Sequence, residues 1–463
     1  MGCDILKKFI GTKSFYKLLF VIVIPIILQQ FITQFVGLVD NLMIGQVGDS
    51  EMTGVSLSNQ LLFIYNLGIF GSLAGASIFA SQYFGSRNKE GFHEAVRFKW
   101  LMALSIFILS TIIFVLFSEP LLKSFITSND GDSTDPDIVL KTGKNYLMIM
   151  IIGNLPFAIK EIYATSLREM KETFFPMLSG VIAILINLLF NYLLIFGKFG
   201  FPELKVAGAA IATVISRFVE MILVIVYTHI KRKKYIFFTD TYKKLAIKKS
   251  SIKQFLPKSV LLLANEVLWS LGLTLILQSY SLRGLDTVAS LNICNTVTNV
   301  FLTIGTALGN ATAIIIGNML GANKEKEAKE SSLVILGFSV VITLFFSAIM
   351  LVCAYFVPNI YNASNHIKEL ATTLIIIGAI FLPFHSWNSC CYFTLRAGGK
   401  VLLTMFFDCI FVCLVRFPII YILSKFTGLD IITVYIISNA IEASKSIAGY
   451  ILVKKGIWLK TIV

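Results

Sequence analysis

Charge is scarce in this chain. Asp, Glu, Lys and Arg together make up 14% of its 463 residues, against about 25% in an ordinary globular protein. Histidine is scarcer still. His93, His229, His366 and His385 are too scattered to build the nucleophile–base or metal constellation of a membrane-embedded enzyme, so no enzymatic activity and no cofactor are expected. The seven cysteines show no zinc or iron–sulfur spacing. All but Cys3 lie inside long apolar runs, where they serve as small buried residues. So little charge beside 56% hydrophobic residues and a mean hydropathy of +0.80 excludes a soluble enzyme and a disordered chain.

Long apolar runs are abundant. They fall at 17–44, 53–84, 99–118, 140–166, 175–196, 206–229, 256–281, 287–318, 331–357, 369–394, 401–424 and 431–453. Each is long enough for a spanning helix of about 20 residues. Lipid leaves no water to satisfy an open backbone, so helices are the default. A β-barrel would alternate over segments of about 10 residues, which these runs do not. The first run follows Lys7, Lys8, Lys13 and Lys17 and continues to Gly45, longer than the core of a cleaved signal. Leu6 stands where myristoylation would want Ser or Thr.

Charge sets the orientation. With the first segment cytoplasmic, 28 of the 40 Lys and Arg fall in inside segments, 8 in outside ones and four within spans. That split follows the positive-inside rule and predicts a multi-pass cell-membrane protein with both termini cytoplasmic. Glu119, Asp130, Asp132, Asp135 and Asp137 fall in one external loop. The net charge of +14 therefore needs no nucleic-acid partner. Its densest stretch, His229 to Lys258, reads as a cytoplasmic linker against anionic lipid headgroups.

That linker separates two similar halves. Gly75-Ala76-Ser77-Ile78 and Gly85 recur 236 positions later as Ala311-Thr312-Ala313-Ile314 and Gly321. Pro25 pairs with Pro257, Leu155-Pro156-Phe157 with Leu382-Pro383-Phe384, and Leu167-Arg168 with Leu395-Arg396. Six plus six spans in one orientation make a parallel repeat about an axis along the membrane normal. The predicted fold is an all-α integral membrane protein of twelve helices in two pseudo-symmetric lobes. The N-lobe covers 1–229, the basic linker 230–255 and the C-lobe 256–463. A monomer is expected.

Ionisable residues inside lipid are functional candidates, because each costs at least ~2.5–3.5 kcal/mol at mid-bilayer. Spacing predicts that Arg217 neutralises Glu220 and that Glu442 neutralises Lys445, each pair at i,i+3. Lys160 and Glu161 approach the cytoplasmic side, and Arg416 is placed to partner Asp408. Asp40 and Glu266, each in the first span of its half, have no opposite charge within a turn. Such a carboxyl can cycle between protonated and ionised states, or hold Na⁺ among oxygen ligands. Asn187 and Asn191 share a helix face, and Thr213 follows the small-residue run Gly208–Ala212. They would supply amide and hydroxyl oxygens to Asp40.

These features together resemble the multidrug and toxic compound extrusion (MATE) family. The resemblance rests on Pro25, Val39-Asp40 and Gly45, on Ala80-Ser81-Gln82-Tyr83-Phe84-Gly85, and on Leu167-Arg168 with Pro176. It continues through 187–197, 206–213, Pro257, Glu266 and Leu395-Arg396-Ala397-Gly398-Gly399. It implies an antiporter that exports organic cations, drugs or other amphipathic compounds by alternating access, driven by H⁺ or Na⁺. The family's span 1 aspartate maps to Asp40, with Gln34 nearby and Asn187, Asn191 and Thr213 as partners on spans 5 and 6. A Na⁺ ion would sit among Asp40, Asn187, Asn191 and Thr213. Many members carry aspartate where this chain has Asn191. Another branch uses a C-lobe acidic site, which maps to Glu266 with His385 or Asn388 and, beside them, Asp408. A bend at Pro25 is the expected hinge. The rival is a lipid-linked oligosaccharide flippase of the same superfamily, which would line its cavity with basic residues; here the candidates are Lys160, Arg217, Arg416 and Lys445.

Overall fold

A computed structural model describes residues 9–125, 135–243, 246–361 and 363–463. Asp130, Asp132, Lys7, Lys8, Lys244 and Cys3 lie outside the described residues. Among those described, every regular element is helical. The earlier half holds α1 (Lys13–Gly45), α2 (Asp49–Gly85), α3 (Lys89–Lys123), α4 (Pro136–Glu169), α5 (Phe174–Ile195) and α6 (Lys205–Ile230). The later half holds α7 (Lys249–Ser281), α8 (Leu285–Gly321), α9 (Glu325–Ile360) and α10 (Asn365–Ala397). It closes with α11 (Val401–Phe426) and α12 (Ile431–Lys455). Eleven of these are long and apolar enough to cross a membrane. The other, α12, has 25 residues and carries Glu442 and Lys445 mid-helix.

The repeat is visible in what each helix buries. The apolar windows of α2 and α8 are both 67% buried, and those of α3 and α9 both 22%. Hydropathy follows burial: the windows of α2 and α8 average 1.7 and those of α3 and α9 average 2.6, so α2 and α8 are interior helices while α3 and α9 turn their apolar faces outward. Likewise α4 packs against α3 and α6, and its counterpart α10 packs against α9 and α12.

The helices gather into two compact units. One comprises Met1–Gln30, Ser81–Asn88 and Ala264–Val463; the other comprises Phe31–Ala80 and Lys89–Leu263. The start of α1 thus belongs with the later helices, where the Phe20 ring meets Phe338 edge-on at 5.2 Å. The start of α7 belongs with the earlier ones, where Phe255 lies 4.6 Å from Phe79 and 5.5 Å from Phe98.

Within the first unit, the ends of α2 and α8 cross backbone to backbone at repeat-related glycines. A Cβ on Gly85 would overlap the Asn318 carbonyl, and one on Gly321 the Gln82 carbonyl. Residues 457–463 lace this crossing. Gln82 donates to the Ala397 carbonyl at 2.9 Å and accepts from the Ile462 N–H at 2.9 Å. Thr461 donates to the Leu320 carbonyl at 2.9 Å, and the Trp458 side chain is wholly buried.

The basic linker is docked rather than loose. Short helices at Ile236–Thr239 and Asp240–Lys243 bury Tyr235 and Phe238. Tyr242 donates to the Tyr163 hydroxyl at 2.8 Å, and Arg97 to the Thr241 carbonyl at 3.2 Å. Lys231, Arg232, Lys233 and Lys234 remain exposed.

Candidate functional site

Asp40 lies near the end of α1, and α5 and α6 bring three polar side chains to it. Asn187 and Asn191 stand one turn apart on the same face of α5, both buried. Gly208 lets α6 start against the end of α5, since a Cβ there would come 2.5 Å from the Leu194 carbonyl oxygen. Thr213 follows on that helix. Asn191 Nδ2 donates to Asp40 Oδ1 at 2.6 Å. Amide orientation follows from the neighbours. Asn187 is satisfied with its nitrogen donating to both Asp40 oxygens, at 3.0 and 3.2 Å, and its oxygen accepting from Thr213 at 3.2 Å.

The four residues therefore form one cluster with a single negative charge. No cation lies within ion-pair distance of Asp40 among the described residues, and the buried Asn191 Oδ1 has no hydrogen-bond partner. Both carboxamides turn nitrogens, not the expected oxygens, to Asp40, so the carboxylate itself and Asn191 Oδ1 are the oxygens left to meet a proton or a hard monovalent cation. No group of three His, Cys, Asp or Glu side chains able to hold a metal occurs among the described residues. Gln34, six residues before Asp40, is exposed and makes no hydrogen bond to it.

A second cluster in the same unit corrects one expected pairing. Arg217 does not bridge to Glu220. Its Nη1 donates to Asn154 Oδ1 at 2.9 Å, and its guanidinium lies over the Phe157 ring at 5.0 Å. Glu220 is held instead by Lys160, at 3.6 Å, and Lys160 also meets Glu161 at 2.6 Å. Asn154, whose carbonyl accepts from the Tyr65 hydroxyl at 2.7 Å, carries no charge and so escapes a search for ionisable groups. Its signal is a lone amide within the apolar run Ile151-Ile152-Gly153-Asn154-Leu155.

The later half holds the third cluster, and it too exchanges partners. Arg416 pairs with Glu442 at 3.4 Å, not with Asp408. Asp408 faces Lys445 at 3.8 Å and accepts from Asn265 at 3.2 Å. The expected Glu442–Lys445 pair is present at 2.6 Å. The reason lies in α11, which winds through π-helical turns at Phe406–Ile410 and Val412–Arg416. These wider turns alter the angle between positions 408 and 416. The candidate C-lobe set does not meet at one point. His385 contacts Asn439 at 3.3 Å, and Asn388 donates to the Glu442 carbonyl at 2.8 Å. Glu266 has no hydrogen bond or ion pair among the described residues, although Arg396 and Asp408 lie within electrostatic reach. Its neighbour Asn265 is the residue on α7 that joins the network, bonding Tyr392 at 3.2 Å as well.

Comparison with known proteins decides the family. The MatE family model matches residues 25–193 and 260–422, which is most of both halves. The chain belongs to the MatE family. A relative named "Uncharacterized transporter YisQ", from Bacillus subtilis strain 168, is 25% identical over 446 residues, 96% of this chain and 95% of its own length. "Probable multidrug resistance protein NorM" of Thermotoga maritima is 23% identical over 425 residues, 91% of this chain and 88% of its own. A solved outward-facing multidrug resistance MATE family transporter of the MOP superfamily aligns with a TM-score of 0.84 at 17% identity, over 95% of this chain and 96% of that one. The Vibrio cholerae MATE transporter VcmN aligns with a TM-score of 0.84 at 17% identity, over 96% and 97%. At such identity these two structures establish the fold, a multi-pass helical MatE architecture.

Proposed function

We propose that this MatE protein is a cation-coupled antiporter of the cell membrane, exporting amphipathic compounds by alternating access with H⁺ or Na⁺ moving inward at Asp40. One observation carries the reading. Asp40 accepts from the carboxamides of Asn191 and Asn187 and has no cationic partner among the described residues, which leaves its charge for a small positive species to neutralise. A carboxylate in lipid is stable only when so neutralised. Loading shifts the population toward the state in which the ion binds better, and a substrate that favours the unloaded state is exchanged for it. Pro25, within α1 and unable to donate a backbone hydrogen bond, is the proposed bend.

The multidrug names of several relatives support this substrate class. The flippase reading has less support, because Lys160, Arg416 and Lys445 are each already paired with carboxylates. The test is dye efflux in vesicles under an imposed pH gradient, then under a Na⁺ gradient. Asp40→Asn is expected to abolish gradient-driven efflux while reaching the membrane at normal levels. Normal efflux by that variant would refute the assignment.

A further inference from the structure

Besides Asp40, one charged group within the spans of the earlier-half unit has no ion-pair partner. Arg217 lies 12 residues into the 26-residue α6, about 18 Å along a helix of about 39 Å. It is near mid-membrane, where a guanidinium is costly unless matched. The guanidinium fork offers five N–H donors. Nη1 gives one to Asn154; Nε and Nη2 bond nothing among the described residues, and neither is an enclosed orphan. Carboxylates are near, but they are committed. Glu220 and Glu161 both bind Lys160, and Arg168 approaches Glu161 at 4.0 Å. Counting the Lys99–Glu169 pair that adjoins them, four cations face three carboxylates, which leaves one positive charge; Arg217 is the member with no carboxylate in ion-pair range, though Glu220 lies within electrostatic reach.

Its surroundings suit an organic group. Phe157 presents its ring to Arg217 on one side and to Lys160 at 4.8 Å on the other. Gly153 removes the side chain that would crowd the Arg217 stem, since a Cβ there would meet Cδ at 3.3 Å. The buried Tyr65 ring backs Phe157 at 6.2 Å.

We infer that Arg217, positioned by Asn154 and flanked by Phe157, is an anion-accepting subsite for amphipathic compounds that carry a carboxylate or similar oxyanion. The inference deepens the antiport reading and rests on it for the idea that the ligand is exported. Binding of the oxyanion completes the guanidinium's hydrogen bonds bidentately, while the apolar body of the compound lies beside Phe157. A purely cationic compound gains nothing from this corner.

The test uses the full chain in nanodiscs, with empty discs subtracted, and three probes that share one fluorophore: dansylglycine (anionic), dansylcadaverine (cationic) and dansylamide (neutral). Saturable dansylglycine binding is expected, and Arg217→Gln should weaken it about tenfold, the loss of one charge-assisted pair, with dansylcadaverine binding unchanged. Arg217→Lys, which keeps the charge but not the fork, should fall between. Absence of saturable dansylglycine binding overturns the inference. So does an equal loss for all three probes in Arg217→Gln, or in Arg217→Lys should Arg217→Gln fail to fold, because a purely structural arginine predicts that pattern. A chain that shows no gradient-driven efflux yet keeps Arg217-dependent dansylglycine binding sinks the antiport reading and leaves the subsite standing.

Discussion

Lys99 shows what the interior of this protein asks of a charge. Its ammonium is fully buried at the start of α3, held by Glu169 at 2.6 Å, Thr165 at 3.2 Å and Ser166 at 3.3 Å. Removing one partner strands the other, so Lys99→Met should lower the unfolding free energy by about 3–5 kcal/mol. The double variant Lys99→Met with Glu169→Leu should recover most of that loss, read as thermal unfolding of the purified protein. The same logic separates what was legible in single residues from what was not. Lys99 and Glu169 are 70 positions apart, and nothing in sequence spacing couples them. The i,i+3 rule found Glu442 with Lys445, where one helix supplies both charges, but missed Lys160 with Glu220 and Arg416 with Glu442, where a neighbouring helix competes. Asp40 was legible because isolation is itself a sequence property. Its contacts to Asn187 and Asn191 follow from their shared face on α5 once α1 is packed beside it.

Among elements, the basic linker differs most from its composition. Its run of lysines reads as a linker lying against lipid headgroups, yet its aromatic residues dock it on the protein. Glu172, in the turn between α4 and α5, accepts from Lys234 and from the Tyr235 hydroxyl, both at 2.7 Å. Burial raises the Glu172 carboxyl, but these hydrogen bonds outweigh it and hold the group below its ordinary value. The bond from Glu172 holds Lys234 above its ordinary value. A depressed acid contributes stability above its unfolded value and loses it as pH falls through the folded one. A raised lysine contributes below its unfolded value and loses it as pH rises through the folded one. Linker docking should therefore be fullest between about pH 4 and pH 10 and loosen on acidification below that window. Hydrogen exchange at residues 231–239, corrected for intrinsic rates, is the check; Glu172→Gln should remove the acid-side dependence. The crossing of α2 and α8 makes a simpler demand. Gly321→Ala or Gly85→Ala places a methyl against backbone that cannot yield, and either should lower thermal stability more than alanine at the open Gly428, where nothing lies within 4 Å.

At the level of the whole molecule, apolar runs, charge asymmetry and the 236-residue repeat were enough to expect twelve helices in two related halves, because lipid forces length, helicity and loop charge to be written along the chain. Packing order is not written there. That α1 and α7 each begin among the other half's helices depends on contacts between segments more than 150 positions apart. The topology has a direct test in a background with Cys3, Cys353 and Cys413 replaced by serine, since the remaining Cys294, Cys390, Cys391 and Cys409 are buried. Gly428→Cys should react with a membrane-impermeant maleimide added to intact cells, whereas Lys326→Cys should react only after permeabilisation. Labelling of both from outside would overturn the orientation.

The indole of Trp458 gives the molecule an intrinsic optical gauge. Only three other tryptophans, Trp100, Trp269 and Trp387, compete with it for emission, and replacing them with phenylalanine would leave one reporter seated where the segment of residues 457–463 is threaded. A red shift of that single emission would mean water had reached the seat, so unlacing could be timed during transport without attaching any dye.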